Sequence, residues 1–200
     1  MSTANHSTDL DNRGGGVRAA VAFGALSVLL FGLAYPVVGT LLGGALFPAQ
    51  SVGSPIERDG TVIGSALIAQ PFADARYFHP RPSAVGYNPT GAGGSNMAPS
   101  NPALRERMQA DSAAVATREG VAALAIPVEL ISASGSGLDP HLSPAAIDVQ
   151  VARVARARGI DEAAVRAVVG AHIETPWLGV FGESRVNVLT LNLALDDARP

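Results

Sequence analysis

The chain has 200 residues and a formal net charge of −3, from 17 acidic and 14 basic residues. All 14 basic residues are arginines, so the chain lacks the lysine that completes the phosphate-binding loop of ATPases and the phosphorylated motif of P-type pumps. The arginines form no run, which argues against nucleic acid as a partner, and the absence of cysteine excludes disulfides, thiol catalysis and cysteine-ligated zinc.

The chain begins with a polar stretch followed by a long uncharged one. Residues 1–18 are polar and contain three consecutive glycines, which predicts a disordered tail. No charge occurs from Ala19 to Pro48, a stretch longer than the roughly 20 apolar residues needed to cross a bilayer, so we expect a transmembrane helix over 19–48. A cleaved signal peptide is the alternative, but its apolar region would run only about 7–15 residues before a small-x-small site.

The arginines that flank this span predict its orientation. Arg13 and Arg18 precede it, whereas only Arg58 follows closely, between Glu57 and Asp59. Because basic residues are enriched on the cytoplasmic side, we expect the tail in the cytoplasm and the following domain outside it.

Two glycines in the span have the spacing of a helix-packing motif. Gly39 and Gly43 form a GxxxG pair, which lets a second membrane helix approach closely. Glycines are also common in membrane helices without such a contact, and that alternative remains open.

The remainder, 51–200, is expected to be one mixed α/β domain. Short β-branched runs predict strands at Thr61–Ala69 and Ile126–Ile131. Pro82–Pro102 holds too many glycines and prolines for a regular element. Asn101 with Pro102 then predicts the start of a helix that ends at Gly120.

The C-terminal third predicts two further helices and a strand. Ser143 with Pro144 begins a helix that ends at Gly159, and Asp161 begins a shorter one that ends at Gly170. Arginines near the end of the first of these suit the helix dipole: Arg153, Arg156 and Arg158. Alternating leucines predict a strand over Val186–Leu195.

A loop of small polar residues is the candidate ligand site. Ser134, Gly135, Ser136 and Gly137 could form a nest of backbone N–H groups for an anion, with Gln150 reaching it from the next helix. The alternative is a tight loop that needs positive φ at its glycines, and the absence of a following lysine favours that alternative.

Tyr77, Arg81 and Tyr87 are the candidate interface residues of the domain, because two tyrosines around an arginine are typical of protein interfaces. Local packing is the alternative. The four histidines lack metal-ligand spacing, and neither a nucleophile motif nor a carboxylate pair is present. We therefore expect no metal site, no catalytic residue and no tightly bound cofactor.

Taken together, these stretches resemble the C subunit of the bacterial Kdp potassium-transporting P-type ATPase. The resemblance covers nearly the whole chain past residue 18. Its carriers are these blocks in order: Tyr77-Phe78-His79-Pro80-Arg81-Pro82-Ser83; Gly94-Ser95-Asn96 with Pro99; Ser134-Gly135-Ser136-Gly137-Leu138-Asp139-Pro140-His141; Ser143-Pro144-Ala145-Ala146 with Gln150; Arg153-Val154-Ala155 with Arg158-Gly159; Gly182-Glu183; and Arg185 to Leu189 with Leu191-Asn192. Small departures occur at Glu129, Leu142 and Ser184.

The resemblance implies a non-catalytic, single-pass accessory subunit of the bacterial inner membrane, in a complex for ATP-driven, high-affinity potassium uptake. Its implied partners are a channel-like A subunit, an ATP-hydrolysing B subunit and a small F subunit. It also implies that the subunit raises the ATP affinity of the B subunit, with Ser134 to Gly137 and Gln150 likened to a nucleotide-binding signature.

These implications conflict with the predicted orientation, because ATP is cytoplasmic and the arginine count puts the domain outside. A rival hypothesis is a stand-alone membrane-anchored extracytoplasmic enzyme or ligand-binding module, with the Gly/Ser loop as its site.

Overall fold

The computed structural model describes residues 9–198, with side chains from residue 15 onward. The part of the predicted tail over residues 1–8 therefore lies outside the described residues. The chain divides into two compact units, with the boundary between Ser54 and Pro55.

The first unit is dominated by one continuous helix. It consists of α1 (Asp9–Ser27), a π-helical segment (Val28–Ala34) and α2 (Tyr35–Leu46). By length and composition, Gly15–Leu46 is the one candidate membrane span among the described residues. The helix begins ahead of Ala19, so residues 9–18 are helical where we predicted disorder. Once a helix has nucleated, extending it over adjoining residues costs little, which explains the difference.

The π-helical segment lies directly before a proline. The N–H of Tyr35 donates to the carbonyl of Leu30, five residues back, and Pro36 has no N–H to donate. Local π-helical turns are one way in which a membrane helix accommodates a proline without leaving carbonyls unsatisfied. A short helix, α3 (Pro48–Ser51), ends the first unit.

The second unit opens with a β-hairpin that we predicted only in part. Strand β1 (Pro55–Arg58) pairs antiparallel with β2 (Thr61–Ser65). Asp59 and Gly60 connect them, both with positive φ, as a two-residue hairpin turn requires. The predicted strand over Thr61–Ala69 is therefore shorter than expected, and its partner β1 was missed.

A second, three-stranded sheet joins distant parts of the domain. It contains β3 (His141–Leu142), β4 (Ile173–Glu174) and β5 (Arg185–Asn187). Strand β5 lies in the centre, and both of its pairings are antiparallel. All three strands are too short to give a sequence signal.

The three predicted helices are present, two of them ending at the predicted glycines and the third running one residue past Gly170. They are α4 (Pro102–Glu119), α5 (Pro144–Arg158) and α6 (Glu162–Ala171). Side chains of Asn101, Ser143 and Asp161 accept the capping hydrogen bonds from backbone N–H groups. Helices α4 and α5 end at left-handed glycines, Gly120 and Gly159.

The predicted strand over Val186–Leu195 is wrong beyond its first two residues. Helix α7 (Val188–Asp197) replaces it, because Oδ1 of Asn187 accepts hydrogen bonds from the N–H groups of Leu189 and Thr190 and thereby caps a helix. The alternating leucines include Leu191 and Leu195, which also stand four positions apart, as one helix face requires.

The predicted strand over Ile126–Ile131 is also wrong. Two 3₁₀ turns, Ala123–Ala125 and Val128–Leu130, occupy this region. Ile126 and Leu130 are its buried residues, at a spacing of four rather than the alternation of a strand.

The core of the second unit forms around α5, whose buried residues pack with those of α6, α7 and β5. Aliphatic side chains make up nearly all of it, and Phe78 is its one fully buried aromatic residue in the described part of the chain. This single N-terminal apolar helix followed by a mixed helix and sheet domain confirms the predicted fold class.

Candidate functional site

A segment without regular secondary structure, Ala75–His79, lies between α5 and α7 and is held by side chains from both helices. We call it the clamped segment. Asn192 of α7 bonds both backbone groups of Phe78: the Phe78 N–H donates to its Oδ1 (2.8 Å), and its Nδ2 donates to the Phe78 carbonyl (2.9 Å). One amide side chain thus supplies what a neighbouring β-strand would supply.

Gln150 of α5 does the same for the next residue. The His79 N–H donates to Oε1 of Gln150 (2.8 Å), and Nε2 of Gln150 donates to the carbonyls of His79 and Ala146 (3.2 Å each). Arg153 Nη2 also donates to Oε1 (2.9 Å). Gln150 is fully buried, so its amide already has partners for both N–H groups and for its oxygen inside the domain.

Two arginines of α5 complete the clamp. Nη1 of Arg153 donates to the carbonyls of Ala75 (2.6 Å) and Tyr77 (2.9 Å), while its Nε forms a buried ion pair with Glu119 of α4 (2.8 Å). Arg158 Nε donates to the carbonyl of Arg76 (2.8 Å). Sequence reasoning assigned both arginines to the helix dipole and missed this role.

A signal for the clamp was nevertheless present in the sequence. Ala146, Gln150 and Arg153 stand at i, i+4 and i+7, so the two polar side chains share a face with a residue that is fully buried. A polar residue on such a face must find hydrogen-bond partners within the protein.

The Gly/Ser loop packs against the irregular segment that follows the clamped segment. Backbone hydrogen bonds join Ser134 N–H to the Pro82 carbonyl (2.9 Å) and Gly93 N–H to the Ser136 carbonyl (2.8 Å). The Ser83 hydroxyl donates to the carbonyl of Gly137 (2.7 Å). The two loops therefore hold each other.

This close approach accounts for two glycines. A Cβ added at Gly94 would lie 2.9 Å from the carbonyl oxygen of Gly135, and one at Gly137 would lie 2.8 Å from that of Gly93. Gly137 also has φ of +70°. The predicted alternative of a tight loop expected positive φ at Gly135 and Gly137, and of these two residues only Gly137 adopts it.

The residues predicted to form a nucleotide site have different neighbours in the domain. Ser134, Ser136 and Gly137 contact the segment from Pro82 to Gly94, whereas Gln150 contacts the clamped segment. Within the loop, N–H groups of Gly137 and Leu138 donate to serine hydroxyls (3.1 Å each). The N–H groups of Ser134, Gly137 and Leu138 are thus engaged with the protein itself.

The predicted interface residues Tyr77, Arg81 and Tyr87 are each partly buried. The Tyr77 hydroxyl donates to Asp196 (3.0 Å), and burial followed by this bond raises the pKa of Tyr77. Arg81 forms an ion pair with Asp139 (3.2 Å), and the Tyr87 hydroxyl donates to the Arg81 carbonyl (2.9 Å). All three side chains have partners within the domain.

Around His79 there is a small cavity of about 210 Å³, which Tyr87, Asp111 and Arg118 also line. Nε2 of His79 is buried and has no hydrogen-bond partner among the described residues. Burial, followed by the charges of Arg118 and Arg153, lowers the pKa of His79 from 6.5 to about 4, so the imidazole is neutral at physiological pH.

Gly39 and Gly43 lie on the exposed surface of α2, where a Cβ at either position would meet no atom within 4 Å. Within the part of the chain that the structure describes, no group of three or more histidine and carboxylate side chains could hold a metal ion.

Comparison with known proteins places the chain in one family. Residues 17–197 match the family described as "K+-transporting ATPase, c chain". The potassium-transporting ATPase KdpC subunit of Shewanella putrefaciens is 55% identical over 90% of this chain and 89% of its own length. The subunits of that name from Xanthomonas oryzae pv. oryzae and Polaromonas naphthalenivorans are 54% and 49% identical, over 92% of this chain and 88% and 95% of their own lengths. The chain therefore belongs to the family of the c chain of K+-transporting ATPases.

Proposed function

We propose that the chain is a non-catalytic accessory subunit of an ATP-driven, high-affinity potassium uptake complex, and that the complex needs it for assembly. The observation that carries this proposal is the extent of the family match, which includes the apolar helix and almost all of the second unit. The apolar helix and the domain thus belong to one and the same family. This supports a family subunit over a stand-alone module that merely happens to carry a membrane anchor.

Its partners on this proposal are a channel-like A subunit, an ATP-hydrolysing B subunit and a small F subunit, together with the lipid bilayer. The apolar helix offers a surface for these membrane partners, and Gly39 and Gly43 would let a partner helix approach closely because they carry no side chain.

The proposed topology places the N-terminus in the cytoplasm and the second unit outside the inner membrane. Arg13 and Arg18 precede the apolar stretch, whereas only Arg58 follows it closely, and Arg58 is paired with Asp197 (2.5 Å). The basic excess therefore favours a cytoplasmic N-terminus.

The effect on ATP affinity is proposed to act through the B subunit and not through ATP held at Gln150. Two observations support an indirect route: Gln150 is fully buried with its amide engaged, and the Gly/Ser loop is packed against the segment from Pro82 to Gly94. An extracytoplasmic domain would also never meet cytoplasmic ATP.

Tyr77, Arg81 and Tyr87 are proposed to support the interface indirectly, without contacting the partner themselves. Their internal partners support a role in shaping the irregular segment from Pro82 to Pro102, whose exposed residues would then contact the A subunit. On this proposal Arg81→Ala lowers both the stability of the domain and the yield of co-purified subunits.

The experiment that tests the proposed function is deletion of this chain from cells that depend on the complex for potassium. We expect loss of growth and of ⁸⁶Rb⁺ uptake at micromolar potassium, with recovery when the chain is supplied again. Affinity purification through a tag on this chain should recover the other subunits. Normal uptake without the chain, or recovery of the chain by itself, would favour the rival of a stand-alone enzyme or ligand-binding module.

A further inference from the structure

A hairpin between β4 and β5 ends in an exposed apolar tip. We define the tip as residues 175–182, which carry no charged side chain. Four large apolar side chains stand within five consecutive positions there: Trp177, Leu178, Val180 and Phe181, each between 62% and 76% exposed. Exposed apolar residues are ordinarily scattered, and a contiguous group indicates a contact surface.

The tip has a defined conformation held by hydrogen bonds. Backbone hydrogen bonds join Trp177 and Phe181 in both directions (2.9 and 3.0 Å), and their rings lie 5.8 Å apart. At its base Arg185 pairs with Glu174 (2.8 Å), and β5 continues into the core through the fully buried Val186. The aromatic side chains are therefore held away from the core by a hairpin that is itself fixed to it.

Leu178 adopts a backbone conformation that leucine rarely takes. Its φ is +54°, in the left-handed region, and it is followed by Gly179 at φ of +73°. Such a conformation is held by the surrounding hairpin, and it leaves the leucine side chain 72% exposed at the turn.

We propose that this tip inserts into the headgroup region of the bilayer that holds the chain's own apolar helix. The connection between Leu46, where that helix ends, and Pro55, where the second unit begins, spans at most about 30 Å when extended. A domain on so short a tether stays close to the bilayer surface, where tryptophan and neighbouring apolar side chains partition favourably.

The size of the tip favours lipid over a protein pocket as its occupant. Its four apolar side chains can bury roughly 600 Å² at most, below the about 800 Å² per partner that a specific protein interface usually needs. A domain that is already anchored requires only a weak additional contact to stay docked, because the tether raises its effective concentration at the surface.

The charges at the base of the hairpin predict whether the tip prefers zwitterionic or anionic lipids. Glu174, Glu183 and Arg185 sum to a formal charge of −1 next to the tip. Insertion should therefore be stronger into zwitterionic phosphatidylcholine than into bilayers rich in phosphatidylglycerol, and added salt should reduce the difference.

The sole tryptophan of the chain reports on this contact directly. The full chain is reconstituted alone into phosphatidylcholine vesicles whose acyl chains carry bromine, a quencher of tryptophan fluorescence. We expect Trp177 to be quenched by the brominated lipid and protected from iodide in the water. Leu178→Ser should lower the ratio of docked to free tips about tenfold, as expected when one leucine-sized side chain is withdrawn from the apolar phase.

A matched control moves the probe to another exposed apolar position. Leu124→Trp in a Trp177→Phe background places the tryptophan at a fully exposed site on a 3₁₀ turn, where iodide and not bromine should quench it. Equal bromine quenching at both positions would mean general adsorption and overturn the proposal.

A protein occupant gives a different result. Because the chain has no cysteine, Val180→Cys can be labelled with a polarity-sensitive dye before reconstitution with the remaining subunits. If the tip stays accessible to iodide in vesicles holding this chain alone and becomes protected only with those subunits, a protein pocket is the occupant and the lipid proposal fails. Accessibility in both preparations overturns it as well. Either failure leaves the uptake experiment, and hence the proposed function, unaffected.

Discussion

Two side-chain amides, of Asn192 and Gln150, take the place of a neighbouring strand for two consecutive residues of the clamped segment. Each bonds both the backbone N–H and the carbonyl of one residue, so Phe78 and His79 need no sheet to satisfy them. An unsatisfied buried donor or acceptor costs about 1–3 kcal/mol, so these amides stabilise the fold chiefly by preventing that cost.

The variant Gln150→Ala is expected to lower the free energy of unfolding of the domain by about 3 kcal/mol. It leaves the partly buried N–H of His79 without its acceptor and removes one partner of Arg153. Denaturant unfolding of the purified chain measures this, with Gln109→Ala, an exposed position on α4, as a control expected to change stability by less than about 0.5 kcal/mol. An unchanged stability combined with a weaker ATP dependence of the complex would instead support direct nucleotide binding at Gln150.

The buried imidazole of His79 predicts a pH dependence of stability. Its pKa is about 4 in the folded domain and 6.5 ordinarily, so the unfolded chain binds the proton more readily between these values. The stabilisation is complete above pH 6.5 and is lost as the pH falls towards about 4. Thermal unfolding between pH 7 and 4 should therefore show a decline that His79→Gln reduces. The hydrogen bond from His141 lowers the pKa of Asp139 from 3.8, so the stabilisation from Asp139 is still present at pH 4 and is lost only at lower pH. An identical slope in both proteins would remove His79 as the cause.

At the scale of elements, local signals predicted the helices well and the strands poorly. The caps at Asn101, Ser143 and Asp161 act within a few residues, so the sequence alone reveals them. Strands β3 and β4 have two residues each and exist only because β5 pairs with both. Such pairing between distant segments leaves no periodic pattern to read. The alternating leucines of α7 were misread for a related reason, because the cap at Asn187 outweighed their period of two.

A prediction at this scale concerns the GxxxG pair of α2. Replacing Gly39 and Gly43 by leucine should reduce co-purification of the other subunits, since the larger side chains would keep a partner helix at a distance. The control is Gly24→Leu, at another position where a Cβ would meet no atom within 4 Å. Co-purification is quantified from tagged complexes in mild detergent. Should all of these variants retain their partners equally, the glycines would be ordinary residues of a membrane helix.

At the scale of the whole molecule, the sequence predicted an apolar helix followed by a mixed domain. It also singled out residues of the candidate site, but it did not predict which groups they contact. Gln150 was expected to face a ligand, yet it is buried against His79, 71 positions earlier in the chain. Arg153 was assigned to the helix dipole, yet it pairs with Glu119 in the interior. Which polar side chain meets which backbone group depends on how helices pack, and no local pattern encodes that.

The proposed topology predicts the result of proteolysis on intact spheroplasts. Protease added outside should digest the chain after about Ser51 and spare an epitope placed on the N-terminal tail, because the basic excess keeps that tail in the cytoplasm. Immunoblots against both ends measure this, and lysed spheroplasts provide the control in which both ends are cut. Protection of the second unit in intact spheroplasts would reverse the topology and bring the domain into contact with ATP.

The clamp also dictates an order of events during biosynthesis. Phe78 takes its partner from Asn192, 114 positions later, so the backbone groups of Phe78 have no amide to bond until α7 has left the ribosome. We therefore expect the domain to reach its final fold only after nearly its whole length has been translated, with its one core aromatic residue incompletely packed until then. A chain that ends before Asn192 would stay in this incompletely folded state and be a substrate for quality-control proteases. Incomplete subunits would thus be degraded before they could bind the other subunits.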